Sequence, residues 1–220
     1  LDISKSVASS PAPVSKKLNI SDTAFDFIVE QEDSTEAYYT RHYTHFDWPE
    51  GASGPTIGIG YDCGYVTRLE AAMDWQNIVD DKTLQVIQSA CGKRGYDADM
   101  WVAKNRDSVT ISWDVALREF KEREVPKWIS RVNLAVPNCS DLSPDSFGAL
   151  VSLCYNRGTG GFKDPSPRFS EMREIRHLMT TKEFAKISAE IRSMGRLWKQ
   201  NSGLGKRRVL EAKLFEKGLA

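Results

Sequence analysis

The sequence predicts an α+β protein that is mostly α-helical, with one small β region in its N-terminal third and helices gathered around a central buried helix. Three observations predict it. Segments of helical period dominate from Leu69 onward; a single stretch, 56–61, alternates apolar with small residues; and 143–158 combines a helix cap, an apolar stripe and a stop signal.

The first helix opens at Ser21-Asp22, side chains that satisfy the free N–H groups of a first turn, and carries Phe25, Ile28 and Val29 at helical spacing. From Tyr38 to Tyr65 the helical pattern stops and Pro49, Gly51, Gly54 and Pro55 appear. Within that region Thr56-Ile57-Gly58-Ile59-Gly60-Tyr61-Asp62 reads as a strand. Helices are then expected over 69–79, 82–90, 113–132 (kinked or split at Pro126), 144–156, 169–179, 182–193 and 205–217. Ser143-Pro144-Asp145 supplies an N-cap, a proline at the first helical position and an early acid, and Thr180 with Glu183 fits a capping box. The helix starting at Pro144 puts Phe147, Leu150, Val151 and Cys154 on one stripe and ends at Gly158, which makes it the candidate core helix.

A chain of 220 residues suits one domain, and 40% hydrophobic with 27% charged residues is ordinary for a soluble protein. No apolar run approaches the roughly 18 residues of a membrane span, so membrane insertion is not expected. Thirty basic and thirty acidic side chains cancel, which gives no reason to expect nucleic acid as a partner. The segment 192–217 is locally basic: Arg192, Arg196, Lys199, Lys206, Arg207, Arg208, Lys213 and Lys217 face only Glu211 and Glu216. It reads as a solvated helix face or as a contact for an anionic polymer. Residues 6–17 are rich in Ser, Pro and Ala without apolar periodicity, so 1–18 reads as a linker or the remainder of a longer chain, and 19–220 as the domain. The first residue is Leu and no signal-peptide pattern follows it.

Cys63, Cys91, Cys139 and Cys154 have no CxxC spacing, and His42, His45 and Asp47 lack a regular ligand frame, so no metal or other cofactor is expected. All three disulfide connectivities stay open. Cys154, in an apolar helical stretch, reads as a buried small hydrophobe, and Cys91 with Cys139, each beside turn-forming residues, as a candidate pair.

Helical phase separates two glutamates at the end of the first helix. Glu32 lies seven residues after Phe25 and four after Ile28 and continues the buried stripe, whereas Glu30 turns away from it. A carboxyl desolvated in this way keeps its proton to higher pH, as a general acid must. Strand alternation puts Thr56, Gly58, Gly60 and Asp62 on one face and Ile57, Ile59 and Tyr61 on the other, so a hydroxyl and a carboxylate flank two glycines. That is a wall against which a bulky substrate can lie. Gly58, Gly60 and Gly64 miss the dinucleotide spacing by one residue, and no βαβ unit follows. Asp47 and Glu50 are the other acids of the region.

These residues resemble the phage-type lysozymes: Glu32 ending the first helix, Tyr39 shortly after, the segment TIGIGYD, then ALVSLCYNRGTGGF (149–162) and GLGKRRVLEAKLF (203–215) in the same order. Asp62, placed after the threonine in a GYD segment, is closer to the pattern of pesticin and of lysozyme domains in secreted antibacterial effectors. The resemblance implies a lysozyme-like fold with a β-hairpin lobe and a helical lobe. It implies a monomeric muramidase, with Glu32, Asp62 and Thr56 catalytic and with Asp47 and Glu50 as runners-up. Tyr61, Asn156 and Arg157, with Trp48, would serve the substrate cleft. The implied partner is the peptidoglycan glycan strand, cut in the periplasm or cell wall of a target bacterium after delivery by a secretion, phage or bacteriocin route. An immunity protein would follow as a second partner. The rival expectations are a non-catalytic cell-wall docking module and a hydrolase of chitin-like polymers.

Overall fold

A computed structural model describes residues 18–33, 35–199 and 201–220, and the linker expected over 1–18 lies, but for Leu18, outside the described residues. Among the described residues the chain is mostly helical with one two-stranded antiparallel sheet. The helices are α1 (Asp22–Asp33), α2 (Glu36–His42), α3 (Arg68–Trp75), α4 (Asp81–Ala90), α5 (Tyr96–Asn105), α6 (Trp113–Glu119), α7 (Val125–Ala135), α8 (Pro144–Arg157), α9 (Ser170–Thr181), α10 (Ile187–Ser193) and α11 (Gly203–Lys217). The strands are β1 (Thr56–Ile57) and β2 (Tyr61–Asp62). No described helix is long and apolar enough to cross a membrane.

Helix α8 is the centre of the core, as the sequence predicts, and it begins and ends where the cap and Gly158 place it. Its burial is wider than one stripe. Every residue from Ser146 to Cys154 is buried, and α1, α7 and α11 surround it. Full burial of Phe147, Leu150, Val151 and Leu153 stabilises by roughly 1.5–3 kcal/mol each. Its buried serines face α11: Ser146 donates to the Phe215 carbonyl at 2.7 Å and Ser152 to Glu211 at 2.7 Å. Gly148 allows the crossing with α1, because a Cβ there would stand 2.2 Å from the Ala24 methyl. Ser21 caps α1 through the Ala24 N–H and also donates to Asp145 on α8, which fixes the direction in which α1 leaves the core.

Several expectations are corrected. Residues 36–42 and 96–105 are helical, although neither carries a clear apolar repeat; α5 buries only Ala98 and Val102. The break expected at Pro126 is a π-helical turn, Phe120–Glu124, directly before it, which accommodates the missing N–H and the ring. Thr180 is no N-cap. Helix α9 runs through Thr181 and stops at Lys182 in the left-handed conformation (φ 61°), and the Thr180 hydroxyl bonds back to Arg176. The basic segment 192–217 is largely consumed internally. Arg207 and Arg208 are buried against Glu211, Arg192 pairs with Glu216, Arg196 with Glu171 and Lys217 with Asp145. Cys154 is fully buried as expected, but Cys91 does not meet Cys139: its neighbour is Cys63, while Cys139 sits in the core.

Candidate functional site

Region 56–62 is a hairpin and not the single strand read from its alternation. Gly58 (φ 63°) and Gly60 (φ 69°) take left-handed conformations that reverse the chain, and the pairs are Thr56 with Asp62 and Ile57 with Tyr61. Directly opposed residues of an antiparallel pair share a face, so Thr56 and Asp62 do lie on one side, for a reason other than strand alternation. Ile57, Ile59 and Tyr61 are buried on the core side.

Gly54 joins the pair. Its N–H donates to Asp62 Oδ1 at 2.9 Å and its carbonyl accepts from the Thr56 hydroxyl at 3.2 Å. Asp62 Oδ1 also accepts from the Gly64 N–H at 2.8 Å and so caps the 3-10 turn Cys63–Tyr65. One carboxylate oxygen is therefore committed to the backbone, and both of these bonds go to it alone. Asp47 pairs its backbone with Thr56 and its carboxylate with Arg106 at 3.4 Å, and Glu50 is exposed with φ 71°.

Glu32 is 25% exposed while Glu30 is exposed, the division that helical phase predicts. Its Oε1 accepts from Arg207 Nη1 at 2.6 Å, so the carboxyl expected to be desolvated on an apolar stripe is instead held in an ion pair. The same guanidinium reaches Glu211 Oε1 (3.1 Å) and both the carbonyl and the hydroxyl of Ser152 (3.2 Å each). Glu211 is fully buried between Arg207 and Arg208; burial raises its pKa despite the two cations, and burial lowers that of Arg208 to about 10. Glu32 thus stands at the edge of a buried ion network that clamps α11 to α8. The sequence gives one signal for this network, an RRxxE spacing that lets both arginines meet the glutamate along the helix.

A cleft of about 440 Å³ opens beside the hairpin, between Gly60, Tyr61 and Asp62 on one side and Lys127, Trp128, Arg131 and Tyr155 on the other. Trp128 and Tyr155 meet in its wall with tilted rings, centroids 5.3 Å apart at an interplanar angle of 54°. Tyr61 contributes an edge only: it is 5% exposed, its hydroxyl donates to Asp74 at 2.8 Å, and burial with that carboxylate raises its pKa far above the ordinary phenol value. Lys127 also bonds Asp74 (2.6 Å) and Glu124 (3.3 Å); burial lowers its pKa, but these carboxylates outweigh it and the net shift is upward. Behind them Glu119 is buried, and burial, then Glu124, push it up to about 8, so it is mostly protonated at neutral pH.

Glu32 and Thr56 are outside the wall of this cleft. The link between the two regions is α8: Ser152 holds the Arg207 side, and one turn on the Tyr155 hydroxyl lies 3.7 Å from where a Gly60 Cβ would stand. Asn156 is exposed and accepts from Arg208 at 3.2 Å. Arg157 points to the C-terminal helices, where it bonds the Arg168 carbonyl and lies over Phe169 and Trp198. Trp48 is half-buried and donates to the Ser53 carbonyl. Among the described residues no group of three His, Cys, Asp or Glu side chains is placed to hold a metal.

A comparison with curated proteins finds no match. A family model described as "Domain of unknown function (DUF8812)" matches residues 23–132, a span that holds Glu32, Thr56, Tyr61 and Asp62 and stops before α8 and Arg207. With half of its length so matched, the chain belongs to this DUF8812 family.

Proposed function

We propose that the chain is a muramidase with a lysozyme-like fold, in which the hairpin and the helices around α8 form the two walls of a glycan groove. The bond cut is the β-1,4 linkage between N-acetylmuramic acid and N-acetylglucosamine. The observation that carries the reading is a pair of partly exposed carboxylates, each fixed by rigid groups: Glu32 by Arg207, and Asp62 by the N–H groups of Gly54 and Gly64. Glycoside hydrolysis needs two carboxyl groups of this kind, one on either side of the scissile bond.

In this reading Glu32 protonates the leaving glycosidic oxygen. Asp62, through the oxygen not held by the backbone, takes a proton from the attacking water, and the Thr56 hydroxyl, which donates to Gly54, uses its lone pairs to hold that water. Direct attack by water inverts the anomeric centre. The cleft past Gly60 receives neighbouring sugars, whose apolar faces lie on Trp128 and Tyr155. A bacteriolytic effector or toxin domain acting at the wall of a target cell is the setting that fits this substrate.

Purified peptidoglycan digested with wild type, Glu32→Gln and Asp62→Asn, with products identified by mass spectrometry, tests the reading. Wild type should release muramic reducing ends, and Glu32→Gln should be slower by about a hundred to ten thousand-fold. Release of no reducing ends by folded wild type would leave a docking module. Faster cleavage of chitin than of peptidoglycan would change the substrate.

A further inference from the structure

Two of the four cysteines meet beside the hairpin. Cys63 directly follows Asp62, and Cys91 closes the C-terminus of α4. The Gly92 N–H donates to the Cys63 carbonyl at 2.9 Å, which ties the backbone of Cys63 to the residue that follows Cys91. The Cys91 thiol donates to the Ile87 carbonyl at 3.5 Å, and the two thiols influence each other: the neighbouring Cys91 raises the pKa of Cys63, and Cys63 lowers that of Cys91. Cys63 is fully buried and Cys91 half-buried, so one sulfur is sheltered and the other reachable. Cys139 and Cys154 are both enclosed in the core, and burial holds Cys139 up to about 12, where a thiol is unreactive.

We propose that Cys63 and Cys91 are a redox pair that closes to a disulfide in an oxidising compartment and fixes the exit of the hairpin against α4. This rests on the placement of the two residues and not on the muramidase reading. The oxidant is itself a disulfide, either glutathione disulfide or that of an oxidoreductase. Cys91 is the attacking sulfur: it is the half-buried one of the pair, and the neighbouring Cys63, then Arg68 and Lys93, favour its thiolate. It attacks one oxidant sulfur and releases the other as a thiolate, giving a mixed disulfide. The Cys63 sulfur then attacks Cys91 Sγ while its proton passes to the departing oxidant sulfur, which leaves as the second thiol. Two electrons pass from the pair to the oxidant, which ends as two thiols. Before the first step the adjacent Cys91 side chain, then burial, keep Cys63 protonated, which sets the order of the two attacks.

The bond would form one residue from Asp62, whose Oδ1 caps the turn that Cys63 opens. Oxidation would therefore stiffen the candidate site, and reduction would loosen it.

The test uses the whole chain equilibrated in glutathione buffers from reducing to oxidising, followed by thiol counting after denaturation, peptide mapping and thermal melts. Expected are loss of two of the four thiols, one cross-link joining the Cys63 and Cys91 peptides, and a Tm about 5–10 °C above the reduced form. Cys91→Ser should keep its remaining three thiols in both buffers and show a single Tm. Four alkylatable thiols in oxidising buffer, a cross-link through Cys139 or Cys154, or a glutathione adduct on Cys91 that Cys63 never resolves would overturn the pair. A cross-link that leaves Tm unchanged would overturn its fixing role. Should Cys91→Ser fail to fold, the wild-type peptide map decides the pairing alone.

Discussion

Arg207 on the last helix donates to Glu32 at the end of the first, 2.6 Å apart across 175 positions of sequence. The contact is one arm of a guanidinium that also holds Glu211 and Ser152, and only 4% of the Arg207 side chain is exposed. The orientation of the candidate acid is therefore set by the same group that clamps α11 to α8.

Arg207→Ala should destabilise by about 3–5 kcal/mol, because it leaves the buried Glu211 with one cation fewer and strips Glu32 of its partner. Arg207→Lys keeps the charge but loses the planar fork, and a cost of about 1–3 kcal/mol is expected. Glu32→Gln, by contrast, leaves Arg207 joined to Glu211 and Ser152 and should cost about 1 kcal/mol or less. Urea unfolding of the three variants checks the order. A Glu32→Gln protein as unstable as Arg207→Ala would mean that Glu32 is structural.

Glu119 gives the protein a pH dependence. Its folded pKa, pushed by burial and then Glu124 to about 8, lies above the ordinary value of 4.5, so between these limits the folded state binds more protons than the unfolded one. The contribution is complete below about pH 4.5 and is lost as pH rises towards 8, with a slope approaching about 1.4 kcal/mol per pH unit. Glu119→Gln should unfold at higher urea than wild type at pH 8 and lose this slope. Parallel pH profiles of unfolding free energy for the two proteins would refute the assignment.

The two hairpin glycines should differ in tolerance. An alanine at either must adopt a left-handed φ, at about 1–2 kcal/mol. At Gly58 the new methyl would also stand 3.3 Å from the ring of Trp75, which is fully buried, whereas at Gly60 the nearest atom is the Tyr155 hydroxyl at an ordinary 3.7 Å. Gly58→Ala is therefore expected to be the more destabilising, by about 1 kcal/mol or more. Equal melting temperatures would show that the Trp75 ring yields.

What was legible in the sequence follows from what each pattern measures. Helical phase distinguishes Glu32 from Glu30 because burial on one face of α1 is a local property. The cap at Ser143 and the stop at Gly158 delimit α8 because both act through neighbouring backbone groups. In 56–62 the alternation of Ile and Gly has period two whether the chain runs straight or turns, and only the φ sign of the glycines decides between them. Helix α5 carries no such signal, because its N-cap Gly95 makes no side-chain bond and its buried face is two residues. Arg207, Arg208 and Glu211 read as surface, since charged side chains are rarely enclosed unless paired, and their partner Ser152 is far away in sequence. Cys63 and Cys91, 28 positions apart, are hidden from each other in the same way.

Asp62 carries two roles that substitution can separate. Its Oδ1 accepts from the N–H groups of Gly54 and Gly64, both buried residues, so it organises the loop before the hairpin and the turn after it. Asn retains a carbonyl oxygen at that position and can accept both bonds, but it has no charge and cannot take a proton from water. Ala removes the acceptor and leaves two N–H groups without it, at roughly 1–3 kcal/mol for each that water cannot reach. Asp62→Asn should therefore melt within about 3 °C of wild type, with any peptidoglycan hydrolysis lowered by at least about a hundred-fold. Asp62→Ala should lose both stability and activity. Full hydrolysis by Asp62→Asn would confine Asp62 to the turn and move the second carboxylate to Asp47 or Glu50. Of these Asp47 is the better placed, because its backbone pairs with Thr56 on the opposite side from Asp62 and directly paired residues share a face. Asp47→Asn measured in the same assay then decides between them.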